Sequence, residues 1–234
     1  MIKVTVWNEY QHEKEGKVKE VYPDGIHGAL ASFLKSDEIS VRTATLDDPE
    51  CGLPQSVLDD TDVLIWWGHM AHQKVPDEVA QRVQNAVLSG MGFIALHSAH
   101  HSKPFKLLMG TPCSLSWRAD GDWERIWVCD PSHPITQGID RYIELPHEEM
   151  YGEPFSIPEP DKVLFIGAYE GGEAFRSGCC FSRGYGKIFY FQPGHETYPT
   201  YYIPEIQTVI RNAVYWAKPT LRSEITCPHV KKID

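Results

Sequence analysis

The sequence predicts an α/β protein with a doubly wound, mostly parallel sheet and an antiparallel extension in its second half. Three observations carry that prediction. Asp62-Val-Leu-Ile-Trp-Trp67 and Phe93-Ile-Ala-Leu96 are short continuous apolar runs, as strands covered by helices on both faces require. Amphipathic helical patterns lie between such runs up to about Met109. From Pro112 onward the pattern changes to alternating segments separated by turn residues.

Ile2 to Trp7 alternates and reads as the first strand. Asn8 to Tyr22 is polar and charged and reads as a loop carrying Asn8, Glu9 and His12. Pro23-Asp24 opens a helix, because Ile26, Ala29, Leu30, Phe33 and Leu34 recur at helical spacing. Ile39 to Thr45 alternates as a second strand, and a loop or helical turn follows around Pro54 to Leu58. The third strand is Asp62 to Trp67, with Gly68-His-Met-Ala-His72 turning off its end. Pro76-Asp-Glu78 begins a helix that buries Val79, Val83, Ala86 and Val87 and stops at Gly90. The next strand, Phe93 to Leu96, breaks into His97-Ser-Ala-His-His101. Lys103 to Met109 reads as a helix weakened by Pro104.

In the second half, Trp123 to Cys129, Lys162 to Gly167 and Gly178 to Ser182 alternate. Pro146-His-Glu-Glu-Met-Tyr151 reads as a loop rich in carboxylates. Gly186 to Phe191 is a further buried strand, ending in Gln192-Pro-Gly-His-Glu196. Pro204-Glu205 opens the last helix, with Ile206, Val209, Ile210, Ala213, Val214 and Ala217 on one face. The 234 residues suit a single domain, 1–234, with its core over about 2–218 and a polar tail over 219–234.

Composition narrows the function classes. A net charge of −10 argues against nucleic acid or an anionic membrane as partner. No apolar run approaches the length of a membrane span. The six cysteines, Cys51, Cys113, Cys129, Cys179, Cys180 and Cys227, form no CxxC pair. With no export signal at Met1 to Asn8, they read as reduced thiols of a cytoplasmic protein. Trp117, Trp123, Tyr198, Tyr201 and Tyr202 fall in expected loops, where aromatics pack under the chain or offer faces for a sugar.

Ligands in open α/β sheets sit beyond the carboxyl ends of the strands. His97 follows one buried strand and His195-Glu196 follows another, so two distant turns can meet on one rim. Glu148 and Glu149 are neighbours, and neighbours in extended chain point opposite ways, so one of them faces the site. His69, His72 and His12 lie on loops of the same rim. Histidines with carboxylates serve two chemistries: binding a divalent metal such as zinc, or acid–base transfer near neutral pH. A nucleophilic Ser98 with His195 as base ranks below both, because the turn lacks the G-x-S-x-G pattern.

Four segments in order, Gly92-Phe-Ile-Ala-Leu-His-Ser-Ala99, Asp130-Pro-Ser-His-Pro-Ile-Thr-Gln-Gly138, Glu148-Glu-Met-Tyr151 and Phe191-Gln-Pro-Gly-His-Glu196, resemble the trehalose-utilisation (ThuA-like) family of the class I glutamine amidotransferase-like superfamily. The resemblance runs from Ile2 to about Lys218. It implies a three-layer, flavodoxin-like sheet with a nucleophile elbow after a central strand. In the amidotransferases that elbow carries cysteine, and a later His-Pro-Glu motif completes the triad. Here His97 stands at the cysteine position and Glu196 follows His195 directly, so glutamine hydrolysis by a thiolate is not expected. Glu149 matches the acidic residue of an Asp-Glu-x-Tyr-like motif, with Glu148 in place of the aspartate, and His12 looks like the histidine after the first strand. The family implies disaccharide, especially trehalose, metabolism.

The combined reading takes His97, Glu149 and His195 as catalytic core and as ligands of a divalent metal, with zinc as the example. Asn8, His12, His69, Ser98, Trp117, Tyr151 and Glu196 would bind the substrate, a small sugar or oxidised sugar derivative. The alternative is a non-catalytic sugar-binding or regulatory protein on the same fold. A homo-oligomer is compatible with the sequence, although no interface pattern separates it from a monomer.

Overall fold

The computed structural model describes residues 1–14 and 16–233. Its strands are β1 (Ile2–Asn8), β2 (Ile39–Thr45), β3 (Val63–Trp67), β4 (Gly92–Leu96), β5 (Ser116–Val128), β6 (Tyr142–Gly152), β7 (Lys162–Tyr169), β8 (Ala174–Arg183) and β9 (Gly186–Phe191). Its helices are α1 (Gly16–Val21), α2 (Gly25–Leu34), α3 (Gln55–Asp59), α4 (Asp77–Leu88), α5 (Lys103–Met109) and α6 (Pro204–Ala217). Among the described residues the strands form one sheet in the order β2-β1-β3-β4-β9-β8-β7-β5-β6. The first five are parallel, and β8, β7, β5 and β6 continue antiparallel from β9.

Helices cover both faces, which is why β3 and β4 are apolar without alternation. On one face α2 and α6 bury Ile26, Leu30, Val209, Ile210 and Ala213 against Val4, Val6, Ile65 and Ile94. On the other, α4 and α5 bury Val79, Val83, Phe105 and Leu108 against Leu64, Trp66, Phe93 and Ala95. The carboxyl ends of β1, β3, β4 and β9 therefore share one rim.

Three expectations are corrected. The segment Asn8 to Tyr22 is not simply a loop: it holds a 3-10 turn at His12–Lys14 and α1. These pieces are too short to show a helical period, although Val18 and Tyr22 reach the core and Val21 packs against it. Pro104 does not weaken α5. It lies in the first turn, where its missing N–H is not needed. Ser102 caps that turn by accepting the Phe105 N–H at 3.4 Å, and Gly110 at φ 70° ends the helix. Pro146 to Tyr151 is strand rather than loop, because β6 is an edge strand and tolerates Pro146 beside a register shift against β5.

Residues 219–233 have no regular structure, but the Ser223 N–H donates to the Ser89 carbonyl at 3.0 Å. No helix among the described residues is long and apolar enough to cross a membrane.

Candidate active site

The chain reverses sharply after β4. His97 takes φ 52°, a left-handed conformation that L-residues adopt at a cost. The chain then runs through a 3-10 turn, His97–His101, into α5. His97 is fully buried. Its Nδ1 faces the Gln192 carbonyl at 3.0 Å. A carbonyl only accepts, so Nδ1 carries the proton and Nε2 is turned toward the cleft. There Nε2 lies 3.1 Å from Glu149 Oε2 and 3.3 Å from the Tyr151 hydroxyl. Glu149 Oε2 is buried without a hydrogen-bond donor despite that approach. Two lone-pair atoms this close need a cation between or on them, either a proton or a metal ion. The Tyr151 ring stacks on His97 at a centroid distance of 5.1 Å, and its hydroxyl meets Ser98 Oγ at 2.5 Å.

Two further histidines arrive from loops held by buried carboxylates. Beyond β3, Glu9 accepts the backbone N–H groups of His69, Met70 and Ala71 at 3.1, 2.9 and 2.8 Å. Beyond β9, Glu148 accepts the N–H groups of Gly194 and His195 at 2.9 and 3.0 Å and the Thr200 hydroxyl at 3.1 Å. Gly194 has φ 134°, and any Cβ there would lie 1.9 Å from the Tyr201 hydroxyl. Trp67 Nε1 donates to the Gly194 carbonyl at 3.0 Å, joining the end of β3 to the same loop.

The three rings converge. Centroids of His69, His97 and His195 lie 5.3 to 5.5 Å apart, with near-perpendicular planes. Donor atoms of His69, Glu149 and His195 fall within 4.8 Å of one another, as do those of His12, His69 and Glu196. His69 Nδ1 meets Glu196 Oε2 at 2.7 Å, and His12 Nδ1 lies 3.5 Å from Glu196 Oε1. His195 Nδ1 faces the Thr197 hydroxyl at 2.8 Å, which leaves Nε2 toward the cluster. A cleft of about 350 Å³ opens from Glu149 and His69 past Tyr151, Ser98 and His100 to Trp117.

The cluster separates the charges of its members. Burial opposes charge on His97, yet Glu149, with Glu148 and Glu196 behind it, outweighs burial and raises His97 above the ordinary imidazole value. His195 moves the other way, lowered to about 4 by burial and then by the positive field of His97. Burial would raise Glu149, but His97, His195 and His69 together hold it below the usual carboxylate range. Burial likewise opposes charge on Glu196, and the His69 hydrogen bond and neighbouring imidazoles hold it at about 2. Burial raises Cys51, Cys113 and Cys129 above the ordinary thiol value, and Cys179 to about 12. None of these thiols is predisposed to act as a thiolate.

Among the residues singled out by sequence, the fold gathers His97, Glu149, His195, His69, His12, Glu196, Ser98 and Tyr151 at one rim. Trp117 lies on β5 at the cleft mouth, 65% exposed. Glu196 is 4% exposed and engaged with His69, so it is turned toward the histidines. Asn8 stands apart: it is fully buried and bonded to Glu13, His27 and the Tyr10 N–H. Sequence reasoning left Glu9 and Glu148 without roles. The available signal was their position, one directly after a strand and the other paired with Glu149 across the strand pleat.

A family model for trehalose utilisation, ThuA, matches residues 3–217. No curated protein matches the sequence. Solved structures with this fold include a ThuA-like protein from Parabacteroides merdae ATCC 43184, at 16% identity and TM-score 0.68 over 98% of this chain and 97% of that one. A ThuA-like protein from Bacteroides uniformis ATCC 8492 has 14% identity and TM-score 0.67 over 92% and 90%. A cytoplasmic protein from Salmonella typhimurium LT2 has 14% identity and TM-score 0.63 over 93% and 100%. At such identities the likeness shows the fold alone.

Proposed function

The chain belongs to the trehalose-utilisation (ThuA-like) family, and from that premise we propose that it is a cytoplasmic enzyme of carbohydrate utilisation acting on a sugar or keto-sugar through its histidine–glutamate cluster. The observation that carries the reading is the convergence of His69, Glu149 and His195 donor atoms within 4.8 Å at the strand ends, with His97 Nε2 3.1 Å from Glu149.

The donor set suits a divalent metal such as zinc: neutral imidazoles, one carboxylate and an unpartnered Glu149 oxygen. His69, Glu149 and His195 would hold the ion, with His97 adjoining through Nε2. Glu196 behind His69 and the Gln192 carbonyl behind His97 are the outer partners that orient ligating imidazoles. When bound, such an ion polarises a carbonyl or lowers the pKa of water. The protein's own part is to orient the sugar. The exposed indole of Trp117 offers a face for a pyranose ring, and Ser98 and Tyr151 offer hydroxyls. The opposite shifts of His97 and His195 favour a second reading. A protonated His97 and a neutral His195 form an acid–base pair able to move a proton at a carbon beside a carbonyl, without metal.

Metal analysis of the untagged protein, purified without chelators, separates the readings. The metal reading expects about one zinc or similar ion per chain, lost in both His97→Ala and His195→Ala. A metal-free parent protein would overturn it. Turnover of a sugar by that metal-free protein would establish the acid–base pair, and sugar binding without turnover would leave a binding protein.

A further inference from the structure

We propose that Glu9 and Glu148 are paired positioning residues, each fixing the backbone of one loop and together setting the spacing between His69 and His195. Neither carboxylate faces the cleft, and both are essentially unexposed, at 1% and 0%. A buried carboxylate is retained only when its lone pairs are satisfied. Glu9 spends both oxygens on three successive N–H groups of the His69 loop. Glu148 accepts from Glu149, Gly194, His195 and Thr200.

The two loops have no regular structure of their own to hold them. Residues 68–71 and 192–195 lie between a strand and the next turn, and the N–H groups of His69, Met70, Ala71, Gly194 and His195 find their acceptors in these two carboxylates. A carboxylate is the group that suits such a convergence. It accepts several donors at once, and its charge-assisted bonds are roughly twice as strong as neutral ones. A glutamine in the same place would turn an NH₂ toward an N–H and repel it.

Sequence position explains how one chain builds both clamps. Glu9 follows β1, which pairs with β3, so its side chain reaches the turn leaving the neighbouring strand. Glu148 and Glu149 alternate on β6, so one strand sends Glu149 to the site and Glu148 to the loop that carries His195. Tyr22 supports the same loop, donating to the Tyr198 carbonyl at 2.6 Å and accepting the Tyr201 N–H at 3.3 Å.

The test uses the full-length protein with Glu9→Gln, Glu148→Gln and the milder Thr200→Val. Amide hydrogen exchange is read without metal. Glu9→Gln should cut protection at least tenfold at His69 to Ala71 alone, and Glu148→Gln at Glu149, Gly194 and His195 alone. Thr200→Val should produce a smaller loss at the Gly194 and His195 amides, which keeps the test valid if Glu148→Gln fails to fold. Unchanged or uniformly reduced protection overturns the proposal.

Zinc titration is the second arm, and it rests on the metal reading above. Each Glu→Gln change should weaken zinc binding roughly 10- to 100-fold, as loss of an outer-shell partner does. Glu148→Gln should add less than about twofold in a His195→Ala background, because it acts through that ligand. Full multiplication of the two effects overturns positioning in favour of general destabilisation. A parent protein that binds no zinc defeats the metal reading, and the exchange arm still decides the clamps.

Discussion

His97 Nδ1 donates to the Gln192 carbonyl at 3.0 Å, and this bond ties the end of β4 to the end of β9. It fixes the tautomer, aims Nε2 at Glu149, and does so from a backbone conformation at φ 52°.

That conformation makes a stability prediction. A left-handed φ costs an L-residue roughly 1–2 kcal/mol, and glycine bears no such cost. Glycine also loses more entropy on folding, which offsets part of the difference. His97→Gly should therefore be more stable than His97→Ala by about 1 kcal/mol in urea unfolding. Equal midpoints would show that the turn relaxes once the imidazole is gone.

Gly194→Ala tests how tightly the His195 loop is packed. The new methyl would lie 1.9 Å from the Tyr201 hydroxyl and 2.4 Å from its Cζ. Because Tyr201 is fully buried, it cannot swing away. The variant should lose about 3 kcal/mol of stability or fail to fold, as read by thermal unfolding. A variant as stable as the parent would refute this close packing of Tyr201 on Gly194.

Trp117 should behave in the opposite way. At 65% exposure its removal leaves the core intact, so Trp117→Ala should change stability by no more than about 0.5 kcal/mol. If the indole face supports a sugar ring, affinity for a disaccharide such as trehalose should fall about tenfold, in line with stacking energies. Calorimetric titration of parent and variant reads this directly, and equal affinities would remove Trp117 from the site.

Acid should destabilise the metal-free protein well above the carboxylate range. Burial holds neutral His72 and His100 at about 3 and His195 at about 4 in the folded state, against 6.5 when unfolded. Between those values the unfolded chain binds more protons, so stability falls as pH drops. Each such histidine contributes a slope approaching about 1.4 kcal/mol per pH unit. Glu196, held at about 2, adds a further loss as pH falls below the usual glutamate value. His97 has the opposite sign: raised in the fold, it contributes stability below 6.5 that is lost as pH rises through its folded value. Buried Glu124 and Glu148, raised in the fold by desolvation, share the sign of His97, so the imidazole contribution is read as a difference: the stability lost between pH 7.5 and pH 5 in urea unfolding should be smaller in His100→Asn than in the parent. The same pH dependence in both proteins would mean that His100 is not buried neutral.

By itself the sequence determined every strand but β6, the principal helices and the rim on which chemistry would gather. Val63 to Trp67 and Phe93 to Leu96 announce double burial because their apolar runs are uninterrupted, and Gln192 to Glu196 announces a strand end because glycine and proline break the run before it. These are local signals, written within a few residues of where they act. Tertiary structure decided what no local pattern encodes. Sequence could say only that Glu148 and Glu149 point opposite ways, and the fold assigned Glu149 to His97 and Glu148 to the His195 loop. Asn8 reads like a site residue after a strand, yet it is spent on Glu13 and His27. Glu9 reads as one polar residue of the loop after the first strand, yet it holds the backbone of residues about sixty positions away. A buried polar group is defined by the partners that satisfy it, and those partners come from strands adjacent in the sheet but distant in the chain.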